Sequence, residues 1–201
     1  PNHFLLRPAY ATRAKRMLHL PVSFSGVGPR RFDVVGLGEA TVDHYCVLPG
    51  VPTPGGKVRM VHHEVQGGGQ VATAMLACQR LGLRARFIGR CGDDEDSRQG
   101  LAELRAAGVE VSGARLLMNA RSQLSLIWVD AASGERTIAW TQDAGVELRA
   151  ADVVAAEVTD ARILHVDATS PEASAAAVAH ARAAGVLVSI DVDHECQIGR
   201  A

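Results

Sequence analysis

Apolar positions along this chain recur with two periods, and the periods alternate. Phe32 to Gly38 is a short apolar run ending in a glycine turn, which predicts the first strand of an α/β sheet. From Gln70 to Leu81, the residues Val71, Ala74, Met75, Cys78 and Leu81 share one face at helical spacing, and Gly82 stops the helix. Ala85 to Gly89 predicts a buried strand. Glu95 to Ala107 predicts a second helix, with Leu101 and Leu104 inward and Gly108 at its end. Arg162 to Val166 is another apolar strand. Ser170-Pro171-Glu172 opens a helix with a cap, a first-turn proline and an acid near the positive end; it stops at Gly185, and Val186 to Ile190 follows as a strand.

This alternation predicts a mostly parallel sheet covered on both faces. Two segments stand outside it. Lys57 to Val65 alternates moderately behind a turn at Pro52, Pro54, Gly55 and Gly56. Gln123 to Val129 and Arg136 to Thr141 read as a hairpin across Asp130 to Glu135. Together, residues 57–65 and 123–141 predict a small antiparallel sheet standing off the body.

Composition narrows the class. With 201 residues, 47% of them apolar, and a net charge of −1, a buried core is within reach and nothing points to nucleic acid. Cysteines at 46, 78, 91 and 196 form no CxxC pair, which fits reduced thiols in a cytoplasmic setting; Cys78 reads as core. The most apolar stretch, Ala173 to Ile190, contains His180, Arg182 and Gly185, so no membrane helix is expected. Residues 1–31 carry Arg7, Arg13, Lys15, Arg16, Arg30 and Arg31 without an acid, and are expected to be a basic, disordered extension preceding the folded part at 32–201, with Met17 a candidate start.

Candidate chemistry centres on Gly67-Gly68-Gly69 at the head of the helix from Gln70. Bare main chain lets a ligand approach without a Cβ in the way, and a helix start adds free N–H donors and partial positive charge. The arrangement suits a ligand rich in hydroxyls or phosphates. The acidic run Asp93-Asp94-Glu95-Asp96 reads as helix-terminal acids rather than a metal site, because the dipole favours acids there. His62 and His63 are strand neighbours pointing to opposite faces, so they do not chelate as a pair and read as lid-surface residues. Trp128 and Trp140, on facing strands, read as packing between strands or subunits. Asp167 ends a strand and is a candidate to reach a cleft, since ligands gather at strand carboxyl ends in such sheets.

Read in order, the pieces resemble the ribokinase-like, or PfkB, family of carbohydrate kinases. They are Gly36-x-Gly38-x-x-x-x-Asp43, Gly68-Gly69 opening a helix that ends Arg80-Leu81-Gly82, Ile88-Gly89, Gly92-Asp93-Asp94, Gly134-Glu135-Arg136-Thr137 and Asp191. The resemblance implies a three-layer α/β/α core with a β-sheet lid closing over a sugar or nucleoside, with ATP and Mg2+ as cofactors. It makes Asp43 a substrate-binding carboxylate, Gly67, Gly68 and Gly69 the lining of the sugar pocket, and Asp191 and Asp193 neighbours of the nucleotide and metal. Thr73 stands where the family often has an Asn, and a hydroxyl does not reproduce an amide's two-sided grip.

The family's second signature, a D-T-x-G-A-G-D turn bearing the catalytic Asp and the phosphate cradle, occurs nowhere in the sequence. The C-terminal part of the fold is therefore expected to be missing, and no catalytic residue or metal ligand is assigned. A general base contributes about 10²–10⁴-fold and one oxyanion-type donor about 10²–10³-fold. Without either, the chain alone is expected to be inert. Two other readings remain open. One is a non-catalytic module that binds a sugar or forms a homodimer through its lid. The other is a dinucleotide-binding oxidoreductase, which Thr41 weakens by occupying the third glycine position of the fingerprint.

Overall fold

A computed structural model describes residues 28–192. The expectations for residues 1–27, for Cys196 and for Asp193 lie outside the described residues. Five strands form the body: β1 (Phe32–Leu37), β4 (Ala85–Gly92), β5 (Glu110–Leu117), β8 (Ala161–Asp167) and β9 (Leu187–Asp191). They pair in the order β5-β4-β1-β8-β9, every pair parallel. Alternation along β1 sends Val34 to one face and Val35 and Leu37 to the other. On the first face they meet Val71 and Met75 of α1 (Gln70–Arg80) and Leu101 and Leu104 of α2 (Glu95–Ala106). On the second face they meet Val158 of α3 (Ala155–Thr159) and Ala173, Ala177 and Ala181 of α4 (Pro171–Ala183). These layers are the expected α/β/α core.

Small residues let the layers close. A Cβ on Gly36 would stand 2.8 Å from Met75 Cγ, so α1 rests directly on the main chain of β1. On the other side the buried alanines Ala173, Ala177 and Ala181 bring α4 against β8 and β9. Ser170 is the N-cap of α4 by position, but its hydroxyl does not cap; it accepts a bond from the Leu148 N–H at 3.3 Å.

The second sheet corrects the sequence reading in three ways. It has four strands, ordered β3-β2-β6-β7, and β2 (Thr41–Leu48) was not expected. The strand expected at residues 57–65 lies at β3, His62–Gly68, because Gly67 and Gly68 pair with Val42 and Thr41 and extend the ladder up to the helix. The sheet is mixed rather than antiparallel: β2 runs parallel to β6 (Gln123–Asp130), with antiparallel β3 on one side and β7 (Arg136–Thr141) on the other. Register places Trp128 opposite Thr137 and Trp140 opposite Ser125, so the two tryptophans point to opposite faces and do not pack together. His63 meets His44 across β2 and β3, their rings stacked 5.5 Å apart.

Candidate functional site

The two sheets meet at the turn from β1 to β2 and at the glycines that lead from β3 into α1. Asp43 projects from β2, half-buried, and its Oδ1 accepts a hydrogen bond from Thr41 Oγ1 at 2.7 Å. The carboxylate lies across Gly68. A Cβ there would collide with it and stand 2.7 Å from Thr41 Oγ1. Gly69 adopts φ +93°, and a side chain would meet Ala40 Cα at 2.7 Å and the Glu39 carbonyl oxygen at 2.8 Å. Both glycines are therefore required by what crosses them.

Gly67 differs. Its missing Cβ would stand an ordinary 3.5 Å from Gly100 Cα and 3.6 Å from Glu103 Oε2, on the side facing α2. Thr73, exposed on α1, joins Gly67 and Gly68 around a small apolar cavity of about 40 Å³ walled by Leu76, Leu101 and Leu104. Asp43 does not line this cavity. Of the expected site residues, Gly67, Gly68 and Thr73 thus line the cavity while Asp43 stands beside it, with Gly68 and the unexpected Thr41 common to both.

Asp167 is fully buried. Its Oδ2 accepts the Glu39 N–H at 2.7 Å, and its Oδ1 accepts the Thr169 N–H at 3.1 Å and the Thr169 hydroxyl at 2.6 Å. The same carboxylate fills the space a side chain on Gly38 would need. Gly36 and Gly38 are thereby accounted for by α1 and Asp167 rather than by a dinucleotide. Asp191 stands exposed at the end of β9, in register with Asp167. With Asp167 committed to Glu39 and Thr169, the described residues do not by themselves assemble a cradle for Mg2+ or a nucleotide phosphate. Among them, no three His, Cys, Asp or Glu side chains are grouped to hold a metal.

Sequence reasoning missed Glu39 and Gln123. Glu39 Oε2 accepts a bond from Gln123 Nε2 at 2.8 Å and its Oε1 accepts the Gln70 N–H at 3.3 Å. Burial pushes the Glu39 carboxyl above its ordinary range, the bond from Gln123 opposes this, and the charges of Asp167 and Asp43 push it further up. Burial and Asp94 push the Cys91 thiol up to about 12, so it is a core residue and not a nucleophile. Asp94 explains the acidic run. Burial raises its carboxyl, but bonds from Ser122 and Ser97 outweigh that and hold it low, capping α2 and pinning the approach to β6.

The description "pfkB family carbohydrate kinase" belongs to a family model that matches residues 31–195, nearly the whole chain. The chain belongs to this family. Among curated relatives, the ATP-dependent ribose-1-phosphate kinase of Halopiger xanaduensis is 25% identical over 158 residues, 79% of this chain and 53% of that protein. Fructokinase-1 of Zea mays is 31% identical over 166 residues, covering 79% of this chain and 50% of its own. Among solved structures, a putative ribokinase from Agrobacterium tumefaciens superposes with a TM-score of 0.73 at 29% identity, over 80% of this chain and 52% of that one. The pfkB chain therefore spans about half the length of the proteins it matches. Its five-stranded sheet and lid are the ribokinase-like fold, and family membership displaces the oxidoreductase reading.

Proposed function

We propose that the described residues are the substrate-recognising part of an ATP-dependent kinase that phosphorylates a hydroxyl of a sugar or nucleoside. The reading rests on Asp43. Thr41 steadies one of its oxygens above the bare main chain of Gly68, and the carboxylate is only half-buried. A carboxylate so placed accepts hydrogen bonds from paired hydroxyls, and such charge-assisted bonds are the strong ones. Gly69 turns the chain from β3 into α1 beside this corner. Two of the N–H donors expected to be free at the helix start are taken: Glu39 accepts the Gln70 N–H with its side chain and the Ala72 N–H with its carbonyl. Asp167 serves the site indirectly, by seating the Gly38–Glu39 turn from which β2 departs. Gly67 and Thr73 form the neighbouring wall against α2.

Asp191 and Asp193 are assigned to the vicinity of nucleotide and Mg2+ in the complete enzyme. Because the D-T-x-G-A-G-D turn is absent from the sequence, the 201-residue chain by itself binds but does not transfer phosphate. A reducing, cytoplasmic setting is the reading we draw from cysteines spaced without a CxxC pair. No described helix is long and apolar enough to cross a membrane. A second reading, a sugar-binding module that pairs through its lid, is favoured by Ile138 at 45% and Trp140 at 57% exposure on one face of β7.

The test is a calorimetric titration of ribose, fructose and adenosine into the chain and into its Asp43→Asn variant, with ATP consumption measured alongside. The expected result is saturable binding to one of these ligands and a loss of about 10- to 100-fold in the variant, the worth of hydrogen bonds to a charged group. ATP consumption stays at background. Equal affinity in both proteins contradicts the reading, and turnover above background contradicts the inert half.

A further inference from the structure

Glu39 is tied to three elements at once. Its N–H donates to Asp167 Oδ2 at the end of β8 at 2.7 Å, and its carbonyl accepts the Ala72 N–H of α1 at 3.2 Å. Its side chain accepts the Gln70 N–H at the start of α1 at 3.3 Å and Gln123 Nε2 at the start of β6 at 2.8 Å. Gln123 is buried, and register sets it opposite Thr41, the residue that steadies Asp43. One carboxylate thus bridges the start of α1 on one side and lid strand β6 on the other, at the root of the strand that carries Asp43.

The placement is costly. Glu39 lies close enough to Asp43 and Asp167 to feel both charges, and its own bonds come only from an amide and a main-chain N–H. A neutral glutamine would make the same two contacts if the Gln123 amide turned over, since each amide both donates and accepts. A crowded, half-buried acid with no cation among its bonding partners, tied to two separate elements, is a candidate for a working residue.

We propose that Glu39 is a positioning residue that locks lid strand β6 and the start of α1, at the end of the Gly67–Gln70 segment, into one register, so that Asp43 is held in one place beside Gly68. The inference rests on the sugar-binding reading of Asp43 and reaches beyond it, because the tie between lid and body exists with or without a ligand. It also assigns Gln123 as the lid-side partner of the tie. Losing the tie leaves Asp43 attached to Thr41 and β2 laddered to Gly67 and Gly68, but frees the start of β6 and the start of α1 to shift relative to each other.

The experiment uses the full 201-residue chain with four variants: Glu39→Ala, Glu39→Gln, Gln123→Ala and the double alanine variant. Two readouts run in parallel, calorimetric affinity for ribose and fructose, and hydrogen exchange of the β6 and Gly67–Gln70 amides without ligand. Glu39→Ala and Gln123→Ala are each expected to lose about tenfold in affinity. The double variant loses little more than either single one, because the two residues make one connection. Glu39→Gln keeps affinity within about threefold through the turned amide. Both alanine variants speed exchange in β6 and in the glycine segment, and Gln123→Ala carries the test if Glu39→Ala does not fold. Wild-type affinity in the alanine variants, while Asp43→Asn loses binding, overturns the positioning role and leaves the sugar reading standing, as do additive losses in the double variant. If the wild-type chain binds no sugar, the sugar reading fails. Faster β6 exchange in Glu39→Ala then still supports the tie, and unchanged exchange overturns it.

Discussion

Two adjacent glycines with different surroundings separate the roles of single residues. A methyl group on Gly68 collides with the Asp43 carboxylate and Thr41, whereas one on Gly67 meets Gly100 and Glu103 at ordinary contact distances. Gly68→Ala is therefore expected to cost about 1–3 kcal/mol through forced displacement. Gly67→Ala should stay within about 0.5 kcal/mol of the wild type. Urea unfolding of both variants checks this, and equal losses refute it. Glu39 gives a pH signature. Its folded carboxyl is raised, so the folded state holds its proton more tightly than the unfolded state does. Stability conferred by the protonated form is complete below the ordinary carboxylate range and declines as pH climbs through the raised value. Glu39→Gln removes that decline. Thermal unfolding should show the variant gaining on the wild type as pH rises from about 4 to 7 and losing the gain at pH 4; a constant difference contradicts the crowded-acid account. Asp43 was legible because a spaced motif carried it. Glu39 lay within the same motif and went unremarked, since its partners Gln70 and Gln123 are 31 and 84 positions away.

At the scale of elements, helices α1, α2 and α4 were legible because apolar spacing and glycine stops mark them locally, and Gly82, Gly108 and Gly185 do adopt positive φ. Strand β2 was not. Its sequence TVDHYCVL puts polar residues on both faces, because it is the inner strand of a sheet whose two faces are only half covered. Nor did local pattern reveal that β2 and β6 pair in parallel, since that contact joins Thr41 to Gln123 across β3, α1, β4, α2 and β5. Strand β5 was missed for a related reason: glycine and arginine interrupt its apolar run, and its pairing with β4 supplies the order. Among the described residues, strand β9 is an edge of its sheet, with Leu187 and Ile190 each 54% exposed. The purified chain is expected to self-associate through this edge. Ile190→Lys should shift light-scattering mass toward the monomer while leaving the unfolding temperature within a few degrees. A wild type that stays monomeric at high concentration contradicts this.

For the molecule as a whole, the fold class followed from the strand–helix alternation, and the family from the order of its short motifs. The geometry adds how lid and body are joined. Asp43, Thr41 and Gly68 form one contact, and Glu39 and Gln123 hold that contact against the glycine-led helix. The chain covers 79% of itself but only 50% of the Zea mays fructokinase it resembles, so chemistry and recognition are separable questions here. Recognition is the part we propose for these residues. The most direct measurement is a crystal structure of the chain soaked with fructose or ribose. A sugar whose adjacent hydroxyls bond to the Asp43 carboxylate, with its ring against Gly68 and Gly69, is the predicted result. Sugar density seated elsewhere, with Asp43 still bonded to Thr41 alone, would contradict it.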